Sequence, residues 1–220
     1  GGLMGWIRNA VQRRAGALGD SAARITLLRD ADHDGVVEAR HVFAQNLNQP
    51  FGMALVGGYF YVGNTDAVVR FPYAEGATEL AGEGEVVLRL PHREGDNGHW
   101  TRTLLASADG SKLYVAVGSS SNIGDNGMAA EEGRAAIWEF NPDGSGARVF
   151  ASGLRNPVGM DWAPGTGALW VAVNERDMLG DNLVPDYITS VRDGGFYGWP
   201  YFYWGEHRDE RVEIPANVRL

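Results

Sequence analysis

Leu47-Asn48-Gln49-Pro50-Phe51-Gly52-Met53 and Leu154-Arg155-Asn156-Pro157-Val158-Gly159-Met160 are two copies of one pattern, Leu-x-x-Pro-x-Gly-Met. After each comes a glycine turn and a short aromatic run, Tyr59-Phe60-Tyr61-Val62 in the first case and Ala168-Leu169-Trp170-Val171 in the second. A third copy of that run, Lys112-Leu113-Tyr114-Val115, lies between them after Asp109-Gly110-Ser111. Tyr61, Tyr114 and Trp170 are thus 53 and 56 residues apart. A period near 50 with several strands per repeat is the pattern of β-propeller blades. Each blade is a twisted sheet that cannot bury both faces alone, so blades stack on one another around a central channel. The recurring aromatic therefore reads as blade-to-blade packing.

Working outward from the repeat, further strands are expected at Arg24–Leu28, Ala67–Phe71, Glu85–Leu90, Ala135–Phe140 and Tyr187–Val191. Turn chemistry such as Asn141-Pro142-Asp143-Gly144 separates them. Glycine, 31 of 220 residues, is about twice its usual share, as many short strands joined by tight turns require. The predicted class is all-β, with about four blades at this period. Helical periodicity occurs only near the start, where Leu3, Met4, Trp6, Ile7, Ala10 and Val11 form one stripe, giving a short helical lead over 3–15. No linker divides the chain, so 1–220 reads as one propeller domain. The first strand follows that helical lead, and no strand near Leu220 matches it in closing a ring. The domain is therefore expected to be incomplete at both ends.

Charge and composition exclude several classes. Nineteen Lys+Arg stand against 28 Asp+Glu, a net charge of -9, and Lys112 is the single lysine. A nucleic-acid or anionic-membrane binder needs a basic face that this chain lacks. With no cysteine there is no disulfide, thiolate nucleophile, zinc–thiolate site or iron–sulfur cluster. No apolar run approaches the ~20 residues of a membrane helix. Gly1-Gly2-Leu3-Met4-Gly5 lacks the basic start and long apolar run of a signal peptide.

Four stretches hold candidate chemistry. Asp30-Ala31-Asp32-His33-Asp34-Gly35 has the spacing of a calcium loop, in which alternate carboxylates turn inward. However, His41 stands at the twelfth position, where a bidentate Glu is expected, and the flanks read as strands. A solvated acidic hairpin and a structural calcium site both remain open. Gly95-Asp96-Asn97-Gly98-His99-Trp100-Thr101-Arg102 sets a histidine beside an aromatic ring in a glycine-rich loop. Neutral imidazole can accept a proton near pH 7, so His99 is a candidate base; His33, His41, His92 and His207 sit among charges and read as solvated. Arg155 departs from the first copy of the repeat at a polar position, as a site grafted onto a repetitive scaffold would. Its fixed cationic fork suits an anion or a polarised carbonyl. Finally, Asn174–Tyr187 is a long acidic loop whose oxygens suit calcium, and it leads into Gly194–Tyr201, rich in glycine and aromatic rings. Nucleophile elbow, P-loop, dinucleotide fingerprint and His-Glu-x-x-His are absent.

Gly98-His99-Trp100-Thr101-Arg102, Gly153-Leu154-Arg155-Asn156-Pro157-Val158-Gly159, Asn174-Glu175-Arg176-Asp177 and Phe196-Tyr197-Gly198-Trp199-Pro200 occur in an order that resembles the quinoprotein glucose/sorbosone dehydrogenase family. Leu3-Met4-Gly5-Trp6 and Leu27–Asp32 resemble the sorbosone-dehydrogenase-like branch. The resemblance implies a six-bladed propeller using pyrroloquinoline quinone (PQQ) and calcium to oxidise a sugar or sugar-derived aldehyde, with electrons passed to an external acceptor. By that resemblance His99 is the general base and Arg155 contacts the quinone oxygens. Asn156, Trp100 and Arg102 join Arg155 around the cofactor, and backbone carbonyls of Glu175, Arg176 and Asp177 hold calcium. The sequence departs from the soluble glucose dehydrogenases at Gly98, where they have Asp, and at Glu175-Arg176-Asp177, where they have Gly-Pro. The resemblance further implies a blade before Leu3, cofactor-binding basic residues after Leu220 and an export signal upstream, hence a periplasmic or secreted protein. It also implies weak PQQ binding by these 220 residues alone. A calcium-dependent lactone hydrolase and a non-catalytic propeller are the competing readings.

Overall fold

The computed structural model describes residues 10, 11, 14, 22–93, 98–216 and 218. The helical lead expected over 3–15 falls mostly outside them, although Ala10, Val11 and Arg14 are helical and exposed. Apart from one 3-10 turn, Met128–Glu131, the regular structure of the other described residues is strand. β1 (Ile25–Arg29) and β2 (Ala39–Ala44) form a two-stranded antiparallel sheet. A four-stranded meander follows, built from β3 (Gly52–Val56), β4 (Tyr59–Gly63), β5 (Ala67–Pro72) and β6 (Glu85–Arg89). The third sheet runs β7 (Leu104–Ala106), β8 (Leu113–Val117), β9 (Ala136–Phe140) and β10 (Arg148–Ser152). The fourth is β11 (Asn156–Trp162), β12 (Leu169–Asn174) and β13 (Tyr187–Val191). β14 (Gly195–Phe196) returns to pair in parallel with β10, and β15 (Phe202–Tyr203) with β16 (His207–Arg208) makes a last hairpin. The all-β expectation holds, and no sheet closes on itself.

The two copies of Leu-x-x-Pro-x-Gly-Met open the second and fourth sheets, as β3 and β11. These first strands lie inward: β3 packs against β7, and β11 packs against β7 and β8. Gly52 shows how closely they approach. A Cβ there would lie 2.3 Å from the carbonyl oxygen of Arg102, just ahead of β7, so only glycine fits.

The periodic aromatics occupy the second strand of their sheets and bridge to the next sheet. Tyr61 is fully buried between the second and third sheets, and its hydroxyl donates to the carbonyl of Pro142 at 2.9 Å. Tyr114 packs edge-on against Phe150 and against Trp162 of the fourth sheet. Trp162 in turn donates from Nε1 to the carbonyl of Ala106 at 2.7 Å. Trp170 holds the same place in the fourth sheet but is 42% exposed, beside an exposed Ile188. The rule that buries the first two aromatics therefore has no counterpart at the third among the described residues.

Candidate active site

In an antiparallel meander the start of one strand and the end of the next share an edge of the sheet. The segment before β7, the end of β8, the start of β11 and the end of β12 accordingly meet at one end of the third and fourth sheets. Leu104 pairs near Val115, and Asn156 pairs with Asn174. Ser119, just past β8, donates its N–H to the carbonyl of Arg155 at 2.8 Å and ties the two sheets together there.

His99 is half-buried at this end. Its Nδ1 lies 3.0 Å from the carbonyl oxygen and 3.1 Å from the hydroxyl of Ser119. Burial pushes the imidazole pKa down to about 4, assisted by the positive charges of Arg155 and Arg134 and opposed by the Ser119 carbonyl bond and Asp177. His99 is therefore neutral at pH 7, with a lone pair to offer. In an NMR titration its ring signals should stay unchanged from pH 8 to pH 5 and move only near pH 4. A midpoint above 6 would mean that the ring is solvated.

Asn156 flanks the same spot. A Cβ on Gly118 would meet Asn156 Oδ1 at 2.4 Å and His99 Cβ at 2.5 Å, so glycine is what lets the two side chains close on β8. Asn156 Oδ1 is buried and has no hydrogen-bond partner among the described residues. Arg155 is buried as well, with its fork filled by oxygen. Nη1 donates to the carbonyl of Glu175 at 2.6 Å and to that of Asn174 at 3.4 Å. Nη2 donates to Asn122 Oδ1 at 2.9 Å and to Asp177 Oδ2 at 3.1 Å, and Nε to the Asn122 carbonyl at 3.3 Å. Burial pushes Arg155 below its usual value, with Asp177 and Glu175 pulling it back; burial also pushes the Glu175 carboxyl up.

His99, Arg155, Asn156 and the Glu175–Asp177 segment thus come together. Arg102, Trp100 and the side chain of Arg176 are placed differently. Arg102 carries no exposed surface, and its guanidinium donates to the carbonyls of His99 (2.9 Å), Thr101 (2.9 Å) and Pro91 (3.1 Å). It shapes the His99 loop instead of presenting charge to a cofactor, and desolvation lowers its pKa to about 9. The Arg176 side chain turns away from Arg155 into a buried pair with Asp209 at 2.6 Å. Trp100 is exposed and meets Phe51 edge-on, with ring centres 5.7 Å apart, forming an aromatic rim next to His99.

Four residues that sequence reasoning passed over organise the site. Asn122 receives Arg155, donates from Nδ2 to the Asp177 carbonyl at 3.0 Å and accepts from the Asp177 N–H at 2.9 Å. Arg134, buried, donates to the carbonyls of Gly118 (3.0 Å) and Ser119 (3.1 Å). Glu131, also buried, accepts from the N–H and hydroxyl of Ser120 and from the hydroxyl of Ser121. Ser119 is the fourth. Contacts to backbone groups and to neighbouring hydroxyls leave no recognisable spacing in a sequence. In the connection between β1 and β2, Asp30, Asp32, Asp34 and Glu38 bring ligand oxygens within 4.8 Å of one another. Their oxygens accept from backbone N–H groups of Ala31, Asp34 and Gly35.

Comparison with known proteins adds kinship to this geometry. The TrAA12-like family model matches residues 18–189. The chain belongs to that family. The PQQ domain of a pyranose dehydrogenase from Coprinopsis cinerea superposes with a TM-score of 0.64 at 22% identity, covering 81% of this chain and 49% of that one. A calcium structure of a Trichoderma reesei carbohydrate-active enzyme of family AA12 superposes at 0.66 and 23% identity, covering 84% and 52%. An aldose sugar dehydrogenase of Escherichia coli strain K12 is 39% identical over 62 residues, which is 28% of this chain and 15% of that protein. The TrAA12-like chain thus spans about half the length of the two solved chains. The expected kinship with quinoprotein sugar dehydrogenases is borne out, and these matches do not specify the sorbosone branch. Among the described residues no helix is long and apolar enough to cross a membrane.

Proposed function

We propose that this chain carries the base and the cofactor-facing residues of a PQQ-dependent dehydrogenase acting on a sugar or sugar-derived aldehyde. The observation that carries this reading is the convergence of a neutral, oriented His99 with Arg155 and Asn156 at one end of two sheets. The donor set suits a quinone that bears carboxylates. Two guanidinium groups, Arg134 and Arg155, add positive charge for its oxygens, and the orphaned Asn156 Oδ1 is an acceptor that could take a ring N–H of such a group, not its oxygens. Arg155 and Asn156 would hold that group, which when bound supplies the hydride acceptor. His99 accepts the proton from the substrate hydroxyl at Nε2, and the bound sugar stacks on the Trp100–Phe51 rim, as amphipathic rings favour.

Calcium would be held by carbonyls of the Glu175–Asp177 segment, hard oxygens of the kind it prefers. Arg155 holds the Glu175 carbonyl at 2.6 Å, so an ion using that oxygen would share it with the guanidinium or displace it. The same reading takes the four sheets that begin with β1, β3, β7 and β11 as successive blades of one six-bladed propeller domain; Trp170 then faces the position of the following blade. It includes a periplasmic or secreted location and an external electron acceptor.

The test is a titration of the full-length protein with PQQ, with and without calcium, followed by dye reduction over a panel of aldoses and sugar aldehydes; the 220 residues alone are expected to bind PQQ weakly. Saturable binding and sugar-dependent reduction are expected. PQQ binding that is unchanged by Arg155→Met, or no oxidation of any sugar by PQQ-saturated protein, would end the reading.

A further inference from the structure

We infer that Ser119 is a positioning residue that fixes the tautomer of His99, leaving Nε2 as the ring's acceptor. This deepens the base assigned to His99 and rests on that reading for its kinetic consequence, though not for its structural one.

The inference follows from which atoms have protons to give. The Ser119 carbonyl has none, so its 3.0 Å contact with Nδ1 requires Nδ1 to carry the hydrogen. The Ser119 hydroxyl is ambiguous alone, because it can donate or accept. Its proton is committed elsewhere: Oγ lies 2.6 Å from the carbonyl of Ser121, which can only accept. The oxygen therefore turns a lone pair toward Nδ1 at 3.1 Å. Both acceptors of one residue demand the same tautomer, and the Nδ1–H is shared between them. Free neutral imidazole favours the other arrangement, with the proton on Nε2, which would leave no lone pair at that nitrogen.

Ser119 is held firmly enough to impose this choice. Its N–H is fixed to the Arg155 carbonyl at 2.8 Å, and its carbonyl also accepts from Arg134 at 3.1 Å. The neighbouring hydroxyls of Ser120 and Ser121 are both taken by buried Glu131, so neither competes for the histidine. Ser119 is itself fully buried, and bulk water does not replace its oxygen.

The test reads the tautomer directly. Nitrogen-15 NMR of the ring of His99 in the unliganded protein at pH 7 is expected to show protonated Nδ1 and bare Nε2. Ser119→Ala removes the hydroxyl acceptor but keeps the carbonyl, so Nδ1 should stay protonated while its proton, now bound by one acceptor, shows a changed nitrogen-15 shift and faster exchange; Ser119→Thr should restore both. In PQQ-loaded protein, Ser119→Ala should lower kcat on the order of tenfold with KM unchanged, as loss of base orientation predicts. A wild-type spectrum dominated by Nε2–H would overturn the inference. So would a Ser119→Ala protein whose Nδ1–H shift, exchange rate and kcat all match wild type. If Ser119→Ala fails to fold, the wild-type and Ser119→Thr spectra still decide. If no sugar is oxidised but the spectra agree, the function fails and the positioning stands.

Discussion

His99→Asn is expected to abolish turnover while leaving PQQ binding intact. The asparagine amide can still donate to the Ser119 carbonyl, so the loop keeps the contact that His99 makes at 3.0 Å. What disappears is the acceptor at Nε2. Removing a positioned general base costs roughly 10²–10⁴ in rate, or about 3–5 kcal/mol of barrier. The pH dependence follows from the same nitrogen. Protonated imidazole has no lone pair, so kcat/KM should fall as acid protonates the free enzyme's His99. Its pKa is pushed down to about 4 by burial and by Arg155 and Arg134, while Asp177 acts in the opposite direction. The acid limb should therefore lie near pH 4 instead of the 6.5 of an ordinary histidine, and be absent from any residual His99→Asn activity. The measurement is steady-state kinetics of both proteins from pH 3.5 to pH 8. A variant within fivefold of wild type, or an acid limb near 6.5 in wild type, would remove His99 from the role of base.

Much of this was legible because it depends on periods and on residue types with few alternative uses. The Leu-x-x-Pro-x-Gly-Met repeat sets the first strands of two sheets, and the aromatic after it sets the second strands. A histidine, an Arg-Asn pair and an oxygen-rich loop stood out by residue type, and the stacking of the third and fourth sheets brings them together. The repeat cannot say what lies against each copy. Tyr61 and Trp170 are equivalent in sequence, yet one is fully buried and the other largely exposed, because burial depends on the neighbour and not on the strand. Arg102 shows a second limit. Beside His-Trp-Thr it reads as a ligand contact, but three backbone carbonyls take its guanidinium. Such carbonyls belong to the backbone, which looks the same at every residue. Ser119 and Asn122 escape notice because their partners, backbone and side-chain groups alike, are brought to them only by folding.

The largest loss of stability is expected from Asp209→Ala, far from the residues that do chemistry. Arg176 and Asp209 form an ion pair at 2.6 Å with both side chains 2% exposed. The pair ties the loop after β12 to the residue just past β16, and Asp209 is fixed further by its N–H to the Tyr201 carbonyl at 2.9 Å. The Arg176 guanidinium has only this one partner: Nε and Nη2 are buried with none among the described residues. Burial already pushes Arg176 below its usual value, and Asp209 is the chief group raising it again. Removing the carboxylate leaves an uncompensated buried charge, which costs about 3–5 kcal/mol. Because the pair is shielded from solvent, moderate salt should change that figure little. The companion variant Arg176→Met with Asp209→Ala removes both charges and should recover most of the loss, since the cost lies in the stranded cation. Urea unfolding of the three proteins at pH 7 measures this. A loss below about 1 kcal/mol for Asp209→Ala would match an exposed pair and contradict the burial. Equal losses in the single and double variants would assign the effect to packing and not to charge. Arg176 also shares its loop with Glu175 and Asp177, which grip Arg155, so Asp209→Ala should weaken PQQ binding before it unfolds the sheets.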